Sequence, residues 1–392
     1  MPEREWREAG DLRRASILGI GVVVVSAALL RFWNLRDGAV SPTEREIIEP
    51  VIQLLHSGSY RPRALTHPTL PVYLQAAISI AHFLWGATIG RWSSTSQFNA
   101  EQVIGWGRAC SAVVGTAVVY IVYQIGVRWG ARHALLGAGL MAVTPAHVAV
   151  SREIGDGALL SFFTALTLLL SLNTSERRHR SAFALGGATA GLAAASHYAG
   201  GLTIIMPLVA AWMTRSDDSS RILRASAVIV AAIGAFVIAT PLFAVDLPAF
   251  LNGFAAAAAP VGTGTSGGLS VDLLQELLWT LRWPGLILAF AGLSLALVRT
   301  VTGPGHTRWT LIAAFPLVYF ALLAWHGATS AAVVQPMLPA ATMLAAVAVI
   351  SGVSQLRRFD IPRPARTALI AALTVAAVLP PAILSIELVR QA

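Results

Sequence analysis

The chain has 392 residues, of which 56% are hydrophobic and 12% charged, with a mean hydropathy of +0.67. A soluble protein carries about 25% charged residues, so a large soluble enzyme is excluded and a polytopic membrane protein is indicated. The net charge of +9 does not point to nucleic acid, because no basic cluster is interleaved with aromatics as a nucleic-acid groove requires.

All 28 basic residues are arginine, so any phosphate contact must use Arg, His or backbone N–H groups. The single cysteine, Cys110, excludes an intramolecular disulfide and a cysteine-based metal cluster, and its apolar surroundings read as packing.

Residues 1–14 are charged and read as a cytoplasmic N-terminus. The first apolar run follows Arg13 and Arg14 and lacks a small-residue cleavage site, which reads as an uncleaved first span. Runs long enough to cross are expected at 15–33, 103–127, 134–150, 157–173, 182–198, 200–214, 225–245, 279–299, 309–326, 336–352 and 367–388.

A twelfth run, 68–90, is ambiguous, and the distribution of arginine decides it. If it does not cross, the basic loops 128–133, 173–180, 213–224, 299–308 and 355–366 share one side with the N-terminus. That side then holds 18 of the 28 arginines, as the positive-inside rule requires. The expectation is an all-α bundle of about 11 transmembrane helices, with 68–90 as a juxtamembrane helix. Ser41–Leu70, the Ser151–Asp156 turn and the 246–278 loop then lie together on the outer face. The Gly- and Ala-rich 246–278 loop reads as a flexible lid or connector, and the small-residue stretch 186–196 as a close helix contact.

Ser41–Leu70 is the longest polar interruption between apolar runs. Thr43-Glu44-Arg45-Glu46 fits a capping box with Thr43 as N-cap and Glu46 reaching back. Ile47, Ile48, Val51, Leu54 and Leu55 then recur at helical spacing. This frame gives Glu46 a structural task and leaves Glu44 as the better catalytic candidate. In the second polar turn, Arg152 could pair with Glu153 or Asp156, since charges beside an apolar span are costly unless paired or functional. Arg108 reads as an interfacial anchor or an anion ligand. His82, His147 and His326 read as helix-end or packing residues.

The order of these segments resembles the GT-C superfamily of polyprenyl-phosphate-dependent glycosyltransferases, in particular the branch (glycosyltransferase family 39-like) holding protein O-mannosyltransferases and lipid A aminoarabinose transferases. The matching residues are Pro42-Thr43-Glu44, His67-Pro68, Gly107-Arg108 and Ser151-Arg152 to Asp156, and the match is good from about 31 to 214. The resemblance implies a GT-C-like catalytic module over 15–214 that includes an outer loop 34–102. Further transmembrane helices fill 215–392.

It also implies an inverting transfer of a hexose or pentose from a polyprenyl-phosphate donor to a lipid, glycan or protein acceptor, on the outer face of the cell membrane. Glu44 and Asp156 are the implied catalytic carboxylates. His67, Arg108, Arg152, His197 and Arg63 are the implied ligands of the departing lipid phosphate. Some members use a divalent metal, but this chain offers no second nearby Asp and no His-x-x-x-His pair, so none is assigned.

The chain departs from the family at three places. Thr43 stands where the family has Asp, His197 replaces a usual Lys, and Val334-Gln335-Pro336 lacks a basic residue common there. The alternative readings are a catalytically silent GT-C-like membrane partner or lipid-binding protein, which Thr43 favours, and a transporter or flippase. Against the last stand the absence of a repeat of the two halves and of an ionisable residue deep within a span.

Overall fold

A computed structural model describes residues 2–59, 67–174, 180–214, 218–258, 271–302, 305–326, 331–352, 354 and 362–391. Every regular element among them is helical. The helices are α1 (Pro2–Phe32), α2 (Pro42–Ser57), α3 (Leu70–Thr88), α4 (Ala100–Gly126), α5 (Ala131–Ala142), α6 (Pro145–Val150), α7 (Gly157–Thr174), α8 (Arg180–Ser196) and α9 (Ile205–Met213). They continue with α10 (Asp218–Ala239), α11 (Leu242–Val245), α12 (Leu247–Ala258), α13 (Val271–Thr302), α14 (His306–His326), α15 (Ala331–Val334), α16 (Leu338–Val347) and α17 (Arg363–Gln391).

Eight helical segments among the described residues are long and apolar enough to cross a membrane, Leu70–Thr88 among them, and four shorter apolar helices accompany them. Two expected spans are broken. The 134–150 run divides into α5 and α6 because Pro145 starts a new helix after Thr144. The 200–214 run begins as a 3-10 turn at Tyr198–Ile204 and becomes α-helical only at Ile205.

The segment Gln335–Gly352 is 78% buried and forms the centre of the bundle, whereas the apolar windows of α10 and α17 are each 17% buried and turn most of their side chains outward. That pattern suits lipid as the outer solvent, since Leu18, Ile238 and Val301 are all largely exposed. Between helices, small residues set the spacing. A Cβ on Gly187 or Gly191 of α8 would sit 2.2 or 2.1 Å from the carbonyl oxygens of Val228 and Ala232 on α10, so those backbones touch.

The loops gather at two ends of the bundle. At one end Arg308 donates to the Arg128 carbonyl, Arg128 bonds Asn173, and His133 bonds Ser351. At the other end α2 and α3 fold over the start of α4. A second hydrophobic core of Ile47, Ile48, Val51, Val72, Trp92, Phe98, Val103 and Ile154 lies between them, separate from the core of the bundle. Within this cap His82 stacks on Trp106 at 4.6 Å and meets Trp92 and Phe98 edge-on.

The expected 246–278 loop differs from its expected form at both ends: residues 271–278 are the first turns of α13, and 259–270 lie outside the described residues. Residues 247–258 of the expected flexible loop are the helix α12, because the Asp246 carboxylate accepts from the Ala249 N–H and Pro248 suits a first turn. Phe250 and Phe254 of α12 meet the Tyr198 ring edge-on.

Candidate active site

The site is built outward from the start of α2. The helix begins two residues earlier than the sequence pattern suggests, with Ser41 as N-cap and Pro42 as its first residue. Pro42 has its φ already set for a helix and lacks an N–H that would otherwise go unpaired there, which favours this frame. The capping box is therefore Ser41 with Glu44, not Thr43 with Glu46. Ser41 Oγ accepts from the Glu44 N–H at 3.2 Å, and Glu44 Oε2 accepts from the Ser41 N–H at 3.0 Å.

This shift of frame gives Glu44 the structural work that had been assigned to Glu46. The Glu44 side chain is 0% exposed. Arg108 Nε donates to Oε1 at 2.7 Å and an Arg108 terminal nitrogen to Oε2 at 2.8 Å, and the Ile154 N–H reaches Oε1 at 3.1 Å. Burial alone would raise the Glu44 pKa. The hydrogen bonds from Arg108, Ile154 and Ser41, together with the Arg108 charge, outweigh it and hold the carboxylate below its ordinary range.

Arg108 is equally committed. Besides its fork on Glu44, it donates to the carbonyls of Leu35, Gly38 and Ala39 at 3.1–3.2 Å. Five N–H groups thus meet five acceptors, which is the full donor capacity of a guanidinium. Arg152 binds the opposite end of the same linker, donating to the carbonyls of Leu30, Arg31, Trp33 and Asn34 around the C-terminus of α1. A cation there meets the unsatisfied carbonyls of the helix end and the negative pole of its dipole. The expected pairing of Arg152 with Glu153 or Asp156 is therefore replaced by carbonyl capping, and among the described residues no ion pair joins them. Arg31 is wholly buried, donating to the Ala27 and Ala142 carbonyls and bonding His147 at 2.7 Å.

Beside this closed network lies an open one. Glu46 and His67 are both exposed, with Oε2 and Nε2 3.9 Å apart. The His67 and His197 rings are neighbours, tilted at 59° with centroids 6.4 Å apart. His197 caps the 3-10 turn after α8, its Nδ1 accepting from the Ala199 N–H at 3.2 Å. That bond leaves the ring proton on Nε2, so the neutral imidazole presents a donor. Asp156, the residue before α7, lies within electrostatic reach of His197 and of Tyr319 on α14. His67 thus has Glu46 3.9 Å away, and His197 lies near it with Asp156 within electrostatic reach.

Arg63 lies outside the described residues. Among the described residues no group of three His, Cys, Asp or Glu side chains converges to hold a metal ion. Two further groups escape sequence reasoning. Tyr319 is 163 positions from Asp156, and nothing in the local pattern signals their proximity. Glu153 reads in the sequence as a partner of Arg152. The available hint was that two acids follow one arginine in Ser151–Asp156, so a single pairing would leave one of them over.

Comparison with known proteins locates the architecture. The sequence family of dolichyl-phosphate-mannose-protein mannosyltransferases matches residues 100–245. No curated protein matches the chain by sequence. The apo oligosaccharyltransferase of Archaeoglobus fulgidus superposes with a TM-score of 0.64 at 14% identity, over 94% of this chain and 55% of that one. ArnT from Cupriavidus metallidurans, solved with undecaprenyl phosphate, superposes at 0.61 and 16% identity, over 96% of this chain and 72% of that one. The chain thus spans about half the length of the oligosaccharyltransferase. It is an all-helical membrane protein with the fold of the GT-C glycosyltransferases.

Proposed function

From a chain with the GT-C fold, we propose a membrane glycosyltransferase that moves a sugar from a polyprenyl-phosphate donor to a hydroxyl-bearing acceptor, with inversion, on the outer face of the membrane. The observation that carries this reading is the neighbouring pair of imidazoles, His67 beside Glu46 and His197 within electrostatic reach of Asp156. In a lysine-free chain whose Arg108 and Arg152 are spent on carbonyls and on Glu44, these imidazoles have capacity to meet an anion.

Their chemistry suits a departing phosphate. As the sugar–oxygen bond breaks, negative charge grows on the phosphate oxygen. Donors already aimed at that position lower the barrier without reorganising. His197 Nε2–H is such a donor, and Asp156 stabilises positive charge on the ring. ArnT was solved with undecaprenyl phosphate, and that ligand is the donor remnant this reading requires here. The outer-face placement rests on the arginine-rich loops, whose cytoplasmic location leaves the capped end outside.

In this assignment Glu44 acts by position. It holds the Ser41 cap, Arg108 and the Ile154 backbone in one piece, and so fixes the second wall on which Asp156 stands. A silent GT-C relative is the competing reading, favoured by Thr43 at the place of the family acid. Membranes carrying the full chain, supplied with labelled polyprenyl-phosphate mannose, glucose or aminoarabinose, separate the two. Transfer of label from one donor, lost in Asp156→Asn with the protein still inserted, is the expected result. No transfer from any of them, with undecaprenyl phosphate still bound, identifies the silent relative.

A further inference from the structure

If the chain transfers sugar, a base must take the acceptor's hydroxyl proton, and the residue at the family's acidic position is Thr43. Thr43 is exposed, and a Cβ on Gly155 would lie 3.9 Å from its methyl group, so the second polar turn passes directly beside it. That turn carries a carboxylate with no assigned task. We propose that Glu153 is the general base of this site, reaching from the second wall to supply the acid that Thr43 lacks on the first. The inference rests on the transferase reading above.

Three features favour Glu153 over the other carboxylates. Its backbone is fixed on both sides, by the Arg152 guanidinium on the α1 carbonyls and by the Ile154 N–H on Glu44. Its side chain is otherwise nearly uncommitted. Ser41 Oγ donates to Oε2 at 3.4 Å, and the other oxygen has no protein donor among the described residues. Finally, the other acids assigned to the two walls are placed differently: Glu44 is saturated, Glu46 stands by His67, and Asp156 lies within electrostatic reach of His197.

The electrostatics agree with that role. Burial first, and the neighbouring Glu44 charge second, raise the Glu153 pKa, while the Ser41 hydroxyl and Arg108 counter them without cancelling the rise. Arg152, next in the chain, is turned to the α1 carbonyls. A base whose pKa is lifted towards the working pH takes a proton more readily than an exposed carboxylate does.

The step balances. The acceptor oxygen forms the bond to the anomeric carbon as its proton passes to Glu153. The bond from that carbon to the phosphate oxygen breaks, and its electron pair leaves with the lipid phosphate.

The test uses full-length protein in membranes with the three labelled donors named above, and binding of undecaprenyl phosphate as a fold and donor-site control. Glu153→Gln is expected to lower transfer about a hundredfold or more, the scale of a lost general base, with undecaprenyl phosphate binding within twofold of the parent. Placing an acid on the first wall in Thr43→Asp/Glu153→Gln is expected to recover at least tenfold. A structural role for Glu153 would produce no such rescue. In the parent, transfer should fall as the pH drops through the raised Glu153 pKa, and in the rescued variant that fall should move to lower pH. Transfer by Glu153→Gln within threefold of the parent, or no rescue by Thr43→Asp, overturns this assignment and leaves the transferase reading standing. No transfer by the parent from any donor overturns both.

Discussion

Two polar regions lie side by side at the capped end and obey opposite rules. Around Glu44 every donor and acceptor is matched: one carboxylate takes bonds from Arg108, Ile154 and Ser41, and Arg108 has no N–H to spare. Around His197 the groups are sparse, with two rings 6.4 Å apart and carboxylates nearby but few direct bonds. A saturated network rigidifies, because breaking any bond leaves a buried charge exposed to a poor solvent. An open one has capacity for a ligand. The charged residues nearest the site thus divide into those that build it and those that can act in it.

Breaking the closed region should have the largest effect. Arg108→Ala strands the buried Glu44 charge and frees the carbonyls of 35–39, at a cost of about 3–5 kcal/mol. Thermal unfolding in detergent should register it as a large loss of melting temperature, accompanied by loss of transfer. Arg108→Lys should recover only part, since an ammonium cannot reproduce the fork. If Arg108→Ala melts like the parent, the two regions do not differ as described.

Changes in the open region should instead spare stability and remove function. His197→Ala is expected to weaken undecaprenyl phosphate binding about tenfold, roughly the worth of one charge-assisted hydrogen bond, with the melting temperature little changed. Titration calorimetry on the detergent-solubilised chain provides the reading.

Acid should separate the two regions more gently. The Glu44 pKa is lower folded than unfolded, so its stabilisation is present above the ordinary carboxylate value and is lost as pH falls through the depressed one. Melting should therefore hold steady down to about pH 5 and fall below about pH 4, and Glu44→Gln should flatten that acid limb. The smallest effect is expected for Glu46→Gln. Its contact with His67 is exposed on both sides, and such pairs contribute little. Its melting curve should overlay that of the parent.

Much of the architecture is legible in the chain itself. Long apolar runs with few charges can only be helices in a bilayer, because an unpaired backbone cannot be satisfied by lipid. Parity alone also puts the five arginine-rich loops at the end opposite Ser41–Leu70 and Ser151–Asp156. The stretches that form the site, Ser41–Leu70 and Ser151–Asp156, stand out because polar residues are conspicuous in such a background. The capping motif by itself did not decide the frame. Both Ser41-x-x-Glu44 and Thr43-x-x-Glu46 satisfy it; Pro42 favours the first, and Arg108, 64 positions from Glu44, fixes it by binding the carboxylate.

What the sequence determined by itself was therefore the class of protein, most of its long apolar helices and the segments that meet at one end, since these follow from composition and periodicity. Only the tertiary structure decided which charges are spent. Whether a guanidinium is free or saturated depends on carbonyls supplied by the α1 linker, and whether Asp156 comes within electrostatic reach of His197 and Tyr319 depends on how α7, α8 and α14 pack. A hydrogen bond is a property of two places in the fold, and a linear chain names only one of them at a time.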